Sequence, residues 1–200
     1  MHRLVAAIVG ISLSAGLSAA TTYGPGSGGP IPDAPGQNVP GAPFTSDIVV
    51  NDAFTVVRAW ATIDFSHTWA GDIIATLSNG STSITLINRP GQGGAGAGDS
   101  SNFAGAYTFI DGGADLADAA DAIPGGATIP VGEYAAAGGS LNATFGGMSS
   151  AGTWTLTMTD NFALDTGEVF SWSLTLDPFP SPGAAALFCI AGVVCAVRRR

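Results

Sequence analysis

The octet Gly152-Thr153-Trp154-Thr155-Leu156-Thr157-Met158-Thr159 decides the fold. Its apolar residues recur at every second position with threonines between them. An extended chain therefore puts Trp154, Leu156 and Met158 on one face and the hydroxyls on the other. A helix would scatter the same residues round its axis. Downstream, Gly167 to Leu176 repeats the pattern, with Phe170, Trp172, Leu174 and Leu176 set against Ser171, Ser173 and Thr175. Two strands that each have one dry and one wet face predict sheets packed on one side only.

Working outward, Val57, Ala59, Ala61, Ile63 and Phe65 alternate with Arg58, Trp60, Thr62, Asp64 and Ser66, and Ile73, Ala75 and Leu77 begin a further strand. The turn Ser78-Asn79-Gly80-Ser81 carries the Asn-Gly pair that accepts positive φ, and Ile84 and Leu86 resume beyond it, which predicts a hairpin. Shorter strands are expected at Ser46 to Val50, Ala106 to Ile110 and Leu141 to Phe145. About eight strands in all suit a two-sheet all-β sandwich. Asp111 to Ala122 is the one stretch with room for a helical turn or two, ended by Ile123-Pro124-Gly125-Gly126. Its series Asp111, Asp115, Asp118 and Asp121 lacks the glycine and terminal glutamate of an EF-hand loop and reads as a solvated acidic loop.

Composition removes several functions. The 200 residues include 15 acids and 6 arginines, no lysine, and a net charge of −9. Without lysine there is neither a P-loop nor Schiff-base chemistry. Every acid lies between Asp33 and Asp177, and from Thr21 to Pro180 only Arg58 and Arg89 oppose them. Such a segment repels phosphate backbones, so nucleic acid is not an expected partner, whereas solvent and divalent cations suit it.

The two ends read as addresses. Met1 to Ala20 has an arginine, an apolar run from Leu4 to Leu17 and the small residues Ser18-Ala19-Ala20, the pattern of a secretory signal peptide; the run is short for a bilayer span. Thr21 to Thr45 follows as a spacer, its first 23 residues holding six glycines and six prolines. Residues 178–200 contain Pro180-Ser181-Pro182-Gly183, an apolar stretch from Ala184 to Val197 and the final Arg198-Arg199-Arg200. Arginines retained inside leave the acidic segment outside, with the tail in the membrane. This tail resembles the PEP-CTERM sorting signal of bacteria, with Ser181 where that family has Glu. The resemblance implies recognition of Pro180, Pro182, Gly183 and the Arg198 to Arg200 cluster by an exosortase-like enzyme; a plain tail anchor is the alternative. Cys189 and Cys195 both fall inside the tail, so no disulfide is expected in the exported domain.

Catalytic chemistry finds little to use. After signal removal His67 is the one histidine, which rules out His/Cys zinc clusters; no G-x-S-x-G elbow is present, and a histidine at a strand end is read as bonded to turn backbone. Asp64 with Asp72, or Asp160 with Asp165, would be the carboxylate pairs of a glycosidase, at separations one sequence does not give. Asp72, Asp160, Asp165 and Glu168 are the candidate ligands for calcium, which takes loop carboxylates and carbonyls; the same carboxylates would equally brace turns by accepting backbone N–H bonds. Trp60 and Trp69 depart from the core-facing alternation and are the candidate sugar-stacking residues, edge packing being the alternative.

His67-Thr68-Trp69-Ala70-Gly71-Asp72-Ile73 with Leu77, Ser83, Thr85 and Leu86 resembles the opening motif of the P domain (P/homoB) that follows the subtilisin-like catalytic domain of proprotein convertases. Thr108-Phe109-Ile110-Asp111, Leu141 with Phe145-Gly146-Gly147, Gly152 to Leu156, and Asp160-Asn161 through Asp165-Thr166-Gly167 to Ser171-Trp172-Ser173-Leu174 continue in that family's order. The resemblance spans residues 46–177. It implies a galactose-binding-like jelly-roll sandwich and a non-catalytic module, here expected to stand without its protease. The expected role is that of an exported cell-surface or extracellular-matrix protein. The alternatives are an accessory module for a separately encoded subtilisin-like protease and a carbohydrate-binding module for surface polysaccharide.

Overall fold

The structure, a computed structural model, describes residues 19–94 and 96–179. The expected signal peptide up to Ser18 and the expected sorting residues Pro180, Pro182, Gly183, Arg198, Arg199 and Arg200 lie outside the described residues. In chain order the strands are β1 (Thr21–Gly26), β2 (Gly29–Ile31), β3 (Phe44–Val50), β4 (Val56–His67), β5 (Ile73–Asn79), β6 (Thr82–Asn88), β7 (Phe103–Ala114), β8 (Glu133–Tyr134), β9 (Gly152–Asp160) and β10 (Gly167–Pro178). Two short helices, α1 (Leu116–Asp121) and α2 (Leu141–Phe145), sit in the connections. The compact unit Ala20–Pro178 contains every one of these elements.

They form an all-β sandwich. One sheet has the order β1-β10-β4-β7-β8, with β2 also paired to β10, and the other has the order β3-β9-β5-β6. The expected alternation is realised where it was clearest. Trp154, Leu156 and Met158 of β9 face Ala61, Ile63 and Phe65 of β4 and Trp172, Leu174 and Leu176 of β10 across one buried cluster. Trp172 is 1% exposed, and its indole Nε1–H donates to Ser46 Oγ of β3 at 2.9 Å, a polar bond from one sheet to the other through the core. The Asn79-Gly80 turn joins β5 and β6 as expected, with Gly80 at φ +60.

Three expectations are corrected. The stretch read as a spacer carries β1 and β2, both paired antiparallel to β10. An edge strand needs only half of its hydrogen-bonding groups, so Pro25 and Pro30 are compatible with this position. Leu141 to Phe145 is a helical turn, not a strand. Ser140 Oγ accepts Ala143 N–H at 3.0 Å, and the Asp111 carboxylate accepts Leu141 N–H at 2.7 Å and Asn142 N–H at 3.2 Å, satisfying amides that a helix start leaves open. Phe170 is outside the core, 52% exposed. The β10–β4 register shifts between Val169 and Ser171, so that Val169 and Trp172 both point inward and Phe170 is the bulged residue. Gly28 permits the close approach there, because a Cβ at that position would lie 2.4 Å from the carbonyl oxygens of Val169 and Phe170.

Candidate functional site

At one end of the sandwich the inward alternation of each sheet finishes on a polar residue. In β4 the series Ala59, Ala61, Ile63, Phe65 ends at His67, and in β9 the series Trp154, Leu156, Met158 ends at Asp160. The two ends meet: His67 Nε2–H donates to Asp160 Oδ2 at 3.3 Å, with both side chains fully buried. The other ring nitrogen, Nδ1, lies 3.2 Å from the Trp69 amide nitrogen and 2.9 Å from the Trp69 carbonyl oxygen, so neutral imidazole accepts from the first and imidazolium donates to the second. This is the bonding to turn backbone expected of His67.

Asp72 completes the cluster from the single 3-10 turn Ala70–Asp72. Gly71 allows that turn to press against the 97–99 segment, since a Cβ there would come within 2.2 Å of the Ala97 carbonyl oxygen. The Asp72 backbone carbonyl accepts both Asn161 N–H and Asn161 Nδ2–H at 2.9 Å. Its side chain is fully buried, and neither carboxylate oxygen has a hydrogen-bond partner. Desolvation above all, with repulsion from Asp160 second, pushes Asp72 up from the ordinary carboxylate value of 3.8 to about 7. His67 and, less strongly, Arg89 offset this in part; the Arg89 Nε–H donates to the Gly71 carbonyl at 2.8 Å and its Nη1–H to Asn38 Oδ1 at 2.7 Å, and neither Asp72 carboxylate oxygen receives a bond from it.

The remaining carboxylates of the expected calcium set are spent elsewhere. Asp165 Oδ1 accepts Thr68 Oγ1–H at 2.8 Å, and Asp160 Oδ1 accepts Phe162 N–H at 2.9 Å, closing an Asx turn. Glu168 is exposed, with Ser66 and Pro30 as its strand neighbours. Among the described residues no three His, Cys, Asp or Glu side chains gather where an ion would sit. Asp160 thus accepts a backbone N–H, as the turn-bracing alternative has it, whereas Asp165 accepts the Thr68 side-chain hydroxyl and Glu168 stands exposed. The Asp111 to Asp121 series divides likewise, Asp111 binding the start of α2 and Asp115 capping α1 through Ala117 N–H and Asp118 N–H.

The two candidate stacking tryptophans are separated. Trp60 lies early in β4, half-buried, with the Arg58 guanidinium 5.9 Å from its ring centroid and that guanidinium fixed by Asp177 at 2.6 Å. Trp69 lies beyond the far end of β4, its indole donating to the Ala97 carbonyl at 3.1 Å. No single platform contains both. Asp64 is also distant from Asp72 in role, since it occupies the outer face of β4 beside Ser171 and Ala106 while Asp72 is sealed in the interior. Sequence reading put Phe170 on the apolar face of β10, because the bulge that exposes it depends on how β10 meets β4.

No family matches the sequence, and no curated protein matches it either. Among solved structures the chain is similar to the serine protease of Aeromonas sobria, in complex with its chaperone (15% identity, TM-score 0.46) and by itself (16% identity, TM-score 0.45). In both cases the match covers 82% of this chain and 28% of the protease, so the chain spans under a third of the length of the protein it matches.

Proposed function

We propose that this is a non-catalytic β-sandwich module, exported and held at the cell envelope by its C-terminal tail, where it displays a binding or structural surface. The observation that carries the non-catalytic part is His67. His67 is 1% exposed, and its two ring nitrogens are engaged by Asp160 and Trp69, the arrangement of a structural histidine and not of one presented to a substrate. Export and retention take their support from the apolar N-terminal run and from the Pro-Gly, apolar and arginine order of the tail. The test is a deletion of Pro180 to Arg200 combined with a screen of protease, esterase and glycosidase substrates. The expected result is release of an inactive domain into the medium. Hydrolysis abolished by His67→Ala with the fold intact, or retention of the truncated form on cells, would refute the corresponding half of the reading.

A second reading, docking onto a separately encoded subtilisin-like protease, draws on Leu164. This side chain is 91% exposed on a backbone at φ +92, a conformation costly for leucine, and Asp33 holds it there by accepting Leu164 N–H at 3.1 Å. An apolar residue fixed outward suits a partner contact. On this reading Leu164→Glu removes capture of such a protease without changing the melting midpoint; unchanged capture refutes it.

A further inference from the structure

The outer face of the six-stranded sheet holds two neighbouring shallow cavities. One, of about 420 Å³, includes Thr62, Asp64, Ser171 and Ser173 in its lining. The other, of about 430 Å³, includes Ser66, Thr68, Asn102, Thr128 and Glu168. Asp64 and Ser66 are alternate outward residues of β4, so the two cavities adjoin along that strand. From Thr62 to Thr68 the strand advances roughly 20 Å. Phe170 lines neither cavity, but along β10 it is the bulged residue between Glu168 of one and Ser171 of the other, and it is 52% exposed.

The chemistry of this groove is selective. Its polar lining is built mainly from hydroxyl and amide groups, which both donate and accept. The two carboxylates, Asp64 and Glu168, accept only, and no arginine lines either cavity. Asp64 makes no hydrogen bond among the described residues, in contrast to the bracing carboxylates Asp111, Asp115 and Asp160. An anionic ligand would meet like charge. An apolar peptide would strand the hydroxyls without water. A chain of neutral sugar rings offers hydroxyls to Asp64 and to the serines and threonines, and an apolar ring face to an aromatic side chain. Phe170, exposed by a bulge on β10 between the residues that line the two cavities, offers that ring to a chain long enough to span both.

We infer that the groove along β4 and β10, with Phe170 as stacking residue and Asp64 as hydroxyl acceptor, is a binding site for a neutral oligosaccharide or polysaccharide chain. This rests on the proposed role as a displayed binding module and names its ligand class. The probes are cellohexaose, mannohexaose and maltohexaose, with hexagalacturonate as the anionic counterpart, titrated calorimetrically into the full-length protein. At least one neutral hexasaccharide binds and hexagalacturonate does not. Phe170→Ala and Asp64→Asn each weaken that binding at least about tenfold, while Phe170→Tyr keeps it within about threefold. Val49→Ala, on the outer face of the other sheet, leaves it unchanged. Phe170 is exposed, so its loss leaves the fold intact, and an unaltered melting midpoint verifies this. Absence of binding to all three neutral sugars, equal binding by Phe170→Ala, or preference for hexagalacturonate overturns the site. Surface display scored in the same cells separates the two ideas, because a displayed protein that ignores these sugars refutes the site alone.

Discussion

Asp72→Asn should stabilise this domain above neutral pH, although the change removes a charged residue from an acidic protein. In the folded chain Asp72 keeps its proton until about pH 7, whereas in the unfolded chain it loses it near the ordinary 3.8. Between those values the native state holds more protons than the unfolded state, so stability falls as pH rises through the window and levels off above it. A displacement of that size corresponds to about 4 kcal/mol in full, of which about 2–3 kcal/mol is lost between pH 5 and pH 8. Asparagine carries no charge to desolvate. Its amide still needs partners, at a cost of about 1–2 kcal/mol, which leaves the variant ahead at pH 8 by roughly 1–3 kcal/mol. For a domain of this length that is a rise of several degrees in melting midpoint. The assay is urea unfolding of wild type and variant at pH 5, 6, 7, 8 and 9. The difference between the two cancels the titrating groups remote from Asp72 and leaves Asp72 with its coupling to Asp160, His67 and Asp165. If wild type shows no greater loss with pH than the variant, or if the variant is the less stable at pH 8, the buried carboxylate has a counter-charge that this reasoning lacks.

Trp172→Ala should cost about 3–5 kcal/mol, since it empties the middle of the core and removes the indole donor from Ser46 Oγ, which keeps its bond to Ser27 Oγ; chemical denaturation reads this, and a loss under about 1 kcal/mol would contradict the packing. Asp111→Ala should cost about 1–2 kcal/mol and act locally, exposing the amides of Leu141 and Asn142 to hydrogen exchange ahead of those in β9. Calcium at millimolar concentration should move the melting midpoint by less than about 1 °C relative to chelator, because among the described residues no three suitable side chains converge; a rise of several degrees that vanishes in Asp72→Asn would put an ion on that carboxylate.

The parts of the fold that were legible in the sequence share one property. In β9, β4 and the β5–β6 hairpin one face is wet, and period-two alternation then states both the conformation and the orientation of the chain. The parts that were missed depend on a partner. Phe170 continues the alternation of Trp172 and Leu174, and only the register against Phe65 and Asp64 shows that it is the extra residue of a bulge. Leu141, Ala143 and Phe145 fit a strand by their spacing of two and a helix by the spacing of four between Leu141 and Phe145. The carboxylate that decides for the helix is Asp111, on β7. β1 and β2 are rich in Gly and Pro, which argues against a central strand but not against an edge.

The same dependence governs the polar residues. A sequence shows that His67, Asp72, Asp160 and Ser46 are polar, not whether their neighbours supply a donor or an acceptor. Three of them prove to be connections: His67 of β4 to Asp160 of β9, and Ser46 of β3 to Trp172 of β10, each joining one sheet to the other. Apolar contact between two sheets is weakly directional, and many small offsets bury nearly the same area. A buried hydrogen bond tolerates far less displacement, because a shift of a few ångströms leaves both partners dry and unpaired. With one such bond in the core and one at its end, the two sheets have a single offset at which both are made. Alternation therefore sets which side chains enter the core, and these two polar pairs set how the sheets align over it. Asp72, beside one of these pairs and bonded through its backbone alone, is the carboxylate the alignment leaves unsatisfied, which is why its protonation is the most informative measurement on this domain.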